Sequence, residues 1–187
     1  MILPQEFYNR RTLVVAQDLL GCFLVRKIGK KIIRAKIIET EAYNGPKDKA
    51  SHASRGKTER NKIMFGEPGY IYVYFTYGMH FMFNIVTEKE DYPAAVLIRA
   101  VEIENKGKEK FNTNGPARLT KFLQIDKKFN ELQIFTKKFG LWVEGREVNK
   151  ISARGGPAAD WKIKKAKRIG IDYAEEYRDK LWRFLLV

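Results

Sequence analysis

An alternating run of aromatic and branched apolar residues constrains the fold of this chain more than any other segment. Residues 69–76 place Tyr70, Tyr72 and Tyr74 at alternate positions, with Ile71, Val73 and Phe75 between them. Successive side chains of an extended strand point to opposite faces of a sheet. The run therefore predicts a strand with bulky groups on both faces, one of them lined by tyrosines.

Other segments predict further strands and two helices. Strands are expected over residues 22–27, 32–42, 81–87, 94–101, 141–143 and 182–187, which are rich in branched and aromatic residues. Thr12 is expected to cap a helix over residues 13–20, and Pro116 precedes a short helix over residues 117–123. A chain of 187 residues suffices for one well-packed domain. We predict an α+β fold, a single domain over residues 1–187 with a central sheet and flanking helices.

The charge balance predicts an anionic partner. Lys and Arg number 36 against 22 Asp and Glu, a formal net charge of +14. Such an excess draws nucleic acid or an anionic membrane, although a lysine-rich surface that only contacts water is the alternative. No apolar stretch approaches the ~18–20 residues of a membrane span, and residues 1–6 lack the sections of a secretory signal. The single cysteine, Cys22, fits a reducing compartment. We expect an intracellular, non-secreted protein that binds nucleic acid and no membrane.

Two carboxylates and a tyrosine follow an apolar stretch at residues 35–38. Strand alternation would place Glu39, Glu41 and Tyr43 on one face. A carboxylate near apolar and aromatic groups can act as a general base toward water. The alternatives are ordinary salt bridges with Lys36 or other cations, or a carboxylate site for magnesium. Arg99 lies in an apolar strand, and a buried arginine needs an acidic partner, for which Glu39 and Glu41 are the candidates.

A tyrosine at a predicted hairpin tip and a basic loop are the remaining candidates for function. Tyr77 and Gly78 lie between two predicted strands, where an exposed ring can stack on bases or wedge between base pairs. For Tyr70 and Tyr72 a place in the sheet core is favoured instead. The loop at residues 55–62 suits contacts to phosphate oxygens, or is simply solvated. Two histidines and one cysteine give no zinc spacing, and no phosphate-cradling glycine motif is present.

The ordered set of motifs resembles the alkyladenine (3-methyladenine, or methylpurine) DNA glycosylase family over nearly the whole chain. The matching blocks are Leu19-Leu20-Gly21, residues 38–43 with Gly45-Pro46, His52, Arg60-Asn61 with Met64-Phe65, Tyr72-Val73-Tyr74, Tyr77-Gly78-Met79, Asn84, Leu97-Ile98-Arg99-Ala100, Gly115-Pro116, Arg168-Ile169-Gly170-Ile171 and Arg183-Phe184. Each block alone is weak, whereas their order is specific.

The resemblance implies a compact domain with a curved antiparallel sheet and a protruding β-hairpin that inserts into DNA. It also implies a monofunctional hydrolase without metal or other cofactor. Such an enzyme flips alkylated or deaminated purines out of double-stranded DNA and hydrolyses the N-glycosidic bond, which initiates base excision repair. We expect a monomer.

The resemblance also implies roles for individual residues. Glu41 would be the base that activates water, held in place by Arg99 and the backbone carbonyl of Ile169, with Glu39 a structural neighbour. The flipped base would stack between Tyr43 on one side and His52 and Tyr74 on the other, beside Asn84, which excludes the amino group of guanine. The expected DNA contacts are Tyr77, which fills the gap in the duplex, Met79, His80, Lys57 and Arg60.

Three other functions stay open on the residues alone. A non-catalytic nucleic-acid-binding protein would use the tyrosines as a stacking platform and form no product. A metal-dependent nuclease using Glu39 and Glu41 would cut the DNA backbone and fail in EDTA. A formyltransferase-like domain would bind no nucleic acid, although the basic charge speaks against it.

Overall fold

An antiparallel sheet organises the part of the chain that the computed structural model describes, which is residues 1–103, 111–146 and 162–187. The strands are β1 (Phe23–Ile28), β2 (Lys31–Asn44), β3 (Ile71–Thr76), β4 (His80–Val86), β5 (Ala94–Ile103), β6 (Phe111–Asn112), β7 (Leu141–Glu144), β8 (Ile163–Ala166) and β9 (Arg183–Leu186). The helices are α1 (Gln5–Tyr8), α2 (Thr12–Asp18) and α3 (Pro116–Phe122). Short 3₁₀ segments occupy His52–Arg55, Lys62–Phe65, Lys127–Phe129 and Glu175–Asp179.

The long strand β2 is the centre of the sheet. The main strand order is β3-β4-β5-β2-β1-β7, while β6 pairs with β5, and β9 pairs with both β2 and β8. Every one of these pairings is antiparallel. The predicted α+β class and curved antiparallel sheet are therefore confirmed. Among the residues described, no helix has the length and apolar character needed to cross a membrane.

The two faces of the sheet have different roles. One face carries the main core, in which Ile71 and Val73 of β3 lie with Phe83 and Ile85 of β4. Helices α2 and α3 pack against this sheet. The other face carries Tyr72 and Tyr74 of β3, which belong to a separate cluster. The alternation predicted for residues 69–76 is thus confirmed, and it separates a packing face from a face available for a site.

A pair of irregularities in the pairing of β2 with β5 decides which face receives the two glutamates. Ile37 pairs with Val101, Glu39 with Ala100 and Thr40 with Ile98, so the register shifts on both sides of Glu39. Before the shift, odd-numbered residues of β2 lie in the core; after it, Ala42 lies there instead. Bulges of this kind re-aim side chains next to functional sites. Without this bulge, strict alternation would direct the Glu41 side chain into the core.

The structure differs from the sequence predictions at the start of α2 and at β8. Thr12 is the first residue of α2 rather than its N-cap, because Glu88 caps the helix from outside: its Oε1 accepts from the Thr12 amide at 2.7 Å and hydroxyl at 3.0 Å. Strand β8 was not predicted, because its sequence lacks an apolar alternation. It forms through its pairing with β9.

Candidate active site

A cavity of about 300 Å³ opens on the tyrosine-lined face of the sheet. Several residues expected from the sequence line it: Tyr43, His52, Tyr74, Tyr77, Asn84, Arg99 and Ile169. The volume is at the lower end of the ~300–1,000 Å³ typical of small-molecule pockets. The cavity is therefore large enough for one small molecule or group.

Glu41 lies directly behind the wall of this cavity. Its side chain is 0% exposed, and its three partners are all lining residues. The Tyr43 hydroxyl donates to Oε2 at 2.9 Å, the Ile169 backbone amide donates to Oε1 at 2.9 Å, and Arg99 Nη1 lies 3.3 Å from Oε1. A carboxylate has about four lone-pair sites. Within the part of the chain that the structure describes, these three donors leave about one lone-pair site, on the Tyr43 side, for a further donor such as water.

Burial raises the pKa of Glu41 above its ordinary value. The Arg99 cation is the strongest influence in the opposite direction, followed by the Ile169 amide, the Tyr43 hydroxyl and the Arg168 cation. The same burial, together with the Glu41 charge, raises the pKa of Tyr43 well above its ordinary value, so its hydroxyl keeps its proton. The result is a desolvated carboxylate that is more basic than an exposed one.

Arg99 joins the two glutamates, as the sequence predicted. Its Nε lies 3.1 Å from Glu39 Oε1, while its Nη1 contacts Glu41. Glu39 also pairs with Arg183 Nη1 at 2.9 Å. Two arginines thus hold Glu39 in salt bridges, and it does not line the cavity. The predicted salt-bridge role fits Glu39, whereas among the described residues Glu41 pairs with Arg99 alone.

His52 and two tyrosines form an aromatic wall. The His52 and Tyr74 rings meet edge to face with centroids 4.6 Å apart, and His52 Nδ1 lies 2.9 Å from the Tyr72 hydroxyl. Burial, and then the nearby Arg60 cation, lower the pKa of His52 from 6.5 to about 4. The imidazole is therefore neutral at physiological pH. Tyr72, expected only in the core, is buried yet also lines the cavity.

Asn84 is fixed at the cavity wall by the backbone of the sheet. Its amide nitrogen donates to the carbonyl oxygens of Tyr72 at 3.0 Å and Met82 at 3.4 Å. The side chain is 3% exposed. A buried amide held by two backbone bonds is a rigid part of the wall, as discrimination between similar bases requires.

The turn between β3 and β4 presents Tyr77 to solvent. Tyr77 and Gly78 both have positive φ, at 52° and 66°, and the Met79 amide donates to the Thr76 carbonyl at 3.2 Å. Two successive positive φ values are typical of a type I′ hairpin turn. Tyr77 is 80% exposed, and Met79 is also exposed. A bulky residue in this backbone region is strained, and such strain is frequent at functional sites.

Apart from Tyr77, the residues expected to contact DNA are not in the cavity lining. Arg60 places its guanidinium 5.0 Å from the centre of the Tyr74 ring, and Lys57 Nζ lies 5.4 Å from the Phe65 ring. His80 begins β4, directly opposite Thr76. None of Lys57, Arg60, Met79 and His80 is among the cavity-lining residues described. Their contacts with DNA remain predictions.

Sequence reasoning missed a buried ion pair beside the site. Arg168 binds Asp48 through two hydrogen bonds, Nη1 to Oδ2 at 2.6 Å and Nη2 to Oδ1 at 2.8 Å, and both side chains are 0% exposed. The residues are 120 apart in sequence. Asp48 lies in a polar loop and Arg168 in a lysine-rich region, so neither has a pattern that indicates burial. Among the described residues, no group of three or more potential metal ligands is present.

Comparison with known proteins gives matches to a single family. Residues 6–187 match the family model described as Methylpurine-DNA glycosylase (MPG). A protein of Desulfitobacterium hafniense is 42% identical, over 98% of this chain and 94% of its own length. Proteins of Clostridium perfringens (strain SM101 / Type A) and Methanocella arvoryzae are each 43% identical, over 100% and 98% of this chain and 96% and 91% of their own lengths. All three have the printed name "Putative 3-methyladenine DNA glycosylase".

Proposed function

This chain belongs to the methylpurine-DNA glycosylase family, and on that basis we propose that it flips damaged purines out of duplex DNA and hydrolyses their N-glycosidic bond with water activated by Glu41. Membership of the family makes the chain a DNA glycosylase, a hydrolase of N-glycosyl bonds that acts in base excision repair. Deaminated purines are included among the proposed substrates. We further propose that residues 1–187 act as one domain and as a monomer, without a cofactor.

The burial of Glu41, the proposed catalytic base, supports flipping of the damaged nucleotide. Glu41 is completely buried behind Tyr43, Arg99 and Ile169, so an atom of a stacked base could not approach it. Enzymes that act on a base within a duplex take it out of the stack, at a cost that is lower for damaged bases. Tyr77, at the exposed turn and at the edge of the same cavity, would fill the gap left behind. Met79, His80, Lys57 and Arg60 would contact the DNA around it.

The contacts of Glu41 are the single observation that carries the proposed chemistry. A water molecule bonded to the remaining lone pair would lie between Glu41 and the sugar, with Arg99 and the Ile169 carbonyl as further partners. The raised pKa of Glu41 makes it a better proton acceptor than an exposed carboxylate. As the N-glycosidic bond breaks, the sugar becomes electron-poor, and the Glu41 charge stabilises it. One side chain thereby activates the nucleophile and stabilises the transition state.

The aromatic walls suit a cationic purine. A base methylated on a ring nitrogen carries positive charge, which the Tyr43 and Tyr74 rings would attract through the faces that Arg168 and Arg60 do not occupy. His52 is neutral at physiological pH, since its pKa is about 4, and so does not repel the cation. Asn84 would exclude the amino group of normal guanine. Deaminated purines are neutral and would need a proton from the site or from solvent.

A duplex with a single 7-methylguanine tests the mechanism. In EDTA, the wild-type chain is expected to release the base, and Glu41→Gln to bind the duplex with similar affinity. General base catalysis typically contributes about 10²–10⁴-fold, so base release should slow by this factor. Glu39→Gln is the matched control, because Glu39 is held by Arg99 and Arg183 and, among the described residues, has no hydrogen bond to Tyr43 or Ile169; it should retain more activity than Glu41→Gln.

The same assay distinguishes the proposed mechanism from the two alternative functions that involve nucleic acid. Base release by Glu41→Gln at the wild-type rate would refute the role of Glu41. Strand cleavage that EDTA abolishes would indicate a nuclease. Salt-sensitive binding without any product would indicate a non-catalytic DNA-binding protein. In the described lining of the cavity there is no lysine, which supports a monofunctional enzyme over a lyase that forms a Schiff base.

A further inference from the structure

The buried pair of Asp48 and Arg168 connects both walls of the cavity. Asp48 accepts hydrogen bonds from the Asn44 amide at 3.1 Å, at the end of β2, and from the Ala50 amide at 3.1 Å, at the start of the segment that leads to His52. Arg168 donates to the Ala42 carbonyl at 2.8 Å. The pair thus joins the strand of Glu41, the loop of His52 and the segment of Ile169.

Arg168 also contacts the groups that surround Glu41. Its guanidinium lies 4.8 Å from the centre of the Tyr43 ring and 5.1 Å from that of Trp182. Its Nη1 bonds to the carbonyl of Ala42, which lies between Glu41 and Tyr43 in the chain. Its direct neighbour Ile169 donates the backbone bond to Glu41. A shift of this one side chain would therefore move both the phenol and the amide that bind Glu41.

Stability alone is a poor explanation for the pair. Replacing a buried ion pair with apolar residues of similar volume is often neutral or stabilising. Arg168 Nε is buried and has no hydrogen-bond partner among the described residues, which is energetically costly. An arrangement that tolerates this cost next to the candidate catalytic group indicates a role in shaping the site.

We propose that Asp48 and Arg168 are positioning residues for base release, which hold the Tyr43 ring and the Ile169 amide against Glu41 and fix the loop of His52 on the opposite wall. This inference rests on the proposed role of Glu41. The two residues touch neither base nor sugar. They act through Tyr43, Ile169 and the backbone at Ala42, Asn44 and Ala50.

Because Arg168 is charged, the pair should also affect the pH dependence of base release, which a purely structural role would not do. Among the described residues, Arg99, Tyr43 and Arg168 affect the pKa of Glu41, and the Glu41 charge affects the pKa of Tyr43 and Tyr74. Arg168 favours the ionised form of Glu41 and so lowers its pKa, while Asp48 compensates the Arg168 cation. Asp48→Asn removes the compensating charge and leaves Arg168 in place. The acid limb of the pH–rate profile, where Glu41 takes up its proton, should move to lower pH.

Single-turnover base release from a 7-methylguanine duplex, measured as a function of pH, tests this proposal. For Asp48→Asn, we expect the plateau rate to fall about tenfold or more, the acid limb to move to lower pH, and binding of the duplex to change little. Asp18→Asn is the control, because Asp18 pairs with Arg10 at 3.0 Å outside the cavity lining. This control should alter the melting temperature without moving the acid limb.

The possible outcomes distinguish the proposal for Asp48 and Arg168 from the proposed role of Glu41. A folded Asp48→Asn variant with the wild-type rate and profile overturns the proposal, as does a slower variant with an unmoved acid limb. If Asp48→Asn does not fold, Asp48→Asn with Arg168→Met removes both charges. It should fold, release the base at least tenfold more slowly and show an acid limb above that of wild type; a wild-type rate overturns the proposal. Activity in Glu41→Gln would instead refute the proposed function.

Discussion

Arg99 offers a direct test of how the charges in the site are arranged. It contacts Glu39 at 3.1 Å and Glu41 at 3.3 Å, and its side chain is 12% exposed. Arg99→Met keeps the length of the side chain and removes the cation. Because the Arg99 charge is the main influence that lowers the pKa of Glu41, we expect that pKa to rise. The acid limb of the pH–rate profile should then move to higher pH, opposite to the shift expected for Asp48→Asn.

The expected loss of stability follows from the same contacts. Removing one partner of a buried ion pair costs about 3–5 kcal/mol. Glu41 keeps two hydrogen bonds and Glu39 keeps Arg183, so the lower end, about 3 kcal/mol, applies. For a domain of this size each kcal/mol lowers the melting temperature by about 2–4 °C, which gives a fall of roughly 6–12 °C.

Arg183→Met is the matched control for Arg99→Met. Arg183 contacts Glu39 at 2.9 Å. Its backbone lies opposite Glu41 in the β2–β9 pairing, but among the described residues no salt bridge joins its side chain to Glu41. Its side chain is 21% exposed, and Glu39 retains Arg99 in the variant. We expect a smaller fall in melting temperature, of about 2–4 °C, and an unmoved acid limb. The reasoning is refuted if both variants move the acid limb equally, or if neither does.

Two further predictions concern the aromatic groups. Tyr77→Ala should slow base release roughly 5- to 150-fold, because a stacked ring contributes about 1–3 kcal/mol, with little change in melting temperature since Tyr77 is 80% exposed. Phe75→Ala, an exposed ring outside the cavity lining, is the control, and equal slowing by both would argue against insertion of Tyr77. The free energy of unfolding should fall by up to about 3 kcal/mol as pH drops from 6.5 toward 4. In this range His52 takes up a proton in the unfolded chain but not in the folded protein, where it is buried. His52→Gln should flatten this part of the pH dependence in urea unfolding, and an unchanged slope would show that other groups cause it.

Local patterns predicted most of the strands because side-chain alternation leaves a direct trace in the sequence. The segment at residues 69–76 indicated both faces of β3, one of which carries the core and the other the cavity. Arg99 could be matched with Glu39 and Glu41, because a charged residue within an apolar strand demands a partner. The helix cap by Glu88 and the strand β8 left no comparable trace, since both depend on segments distant in the chain.

Composition and motif order determined the class of this protein: a basic α+β domain with the residues of a methylpurine-DNA glycosylase. The tertiary structure decided how those residues meet. The bulge opposite Arg99 turns Glu41 from the core toward the cavity, and it lies in the pairing of β2 with β5 around Glu39, not in either strand alone. The Asp48–Arg168 pair likewise joins residues 120 apart. Neither feature has a local pattern, because a register and a long-range ion pair exist only once the strands have paired and the chain has closed around them.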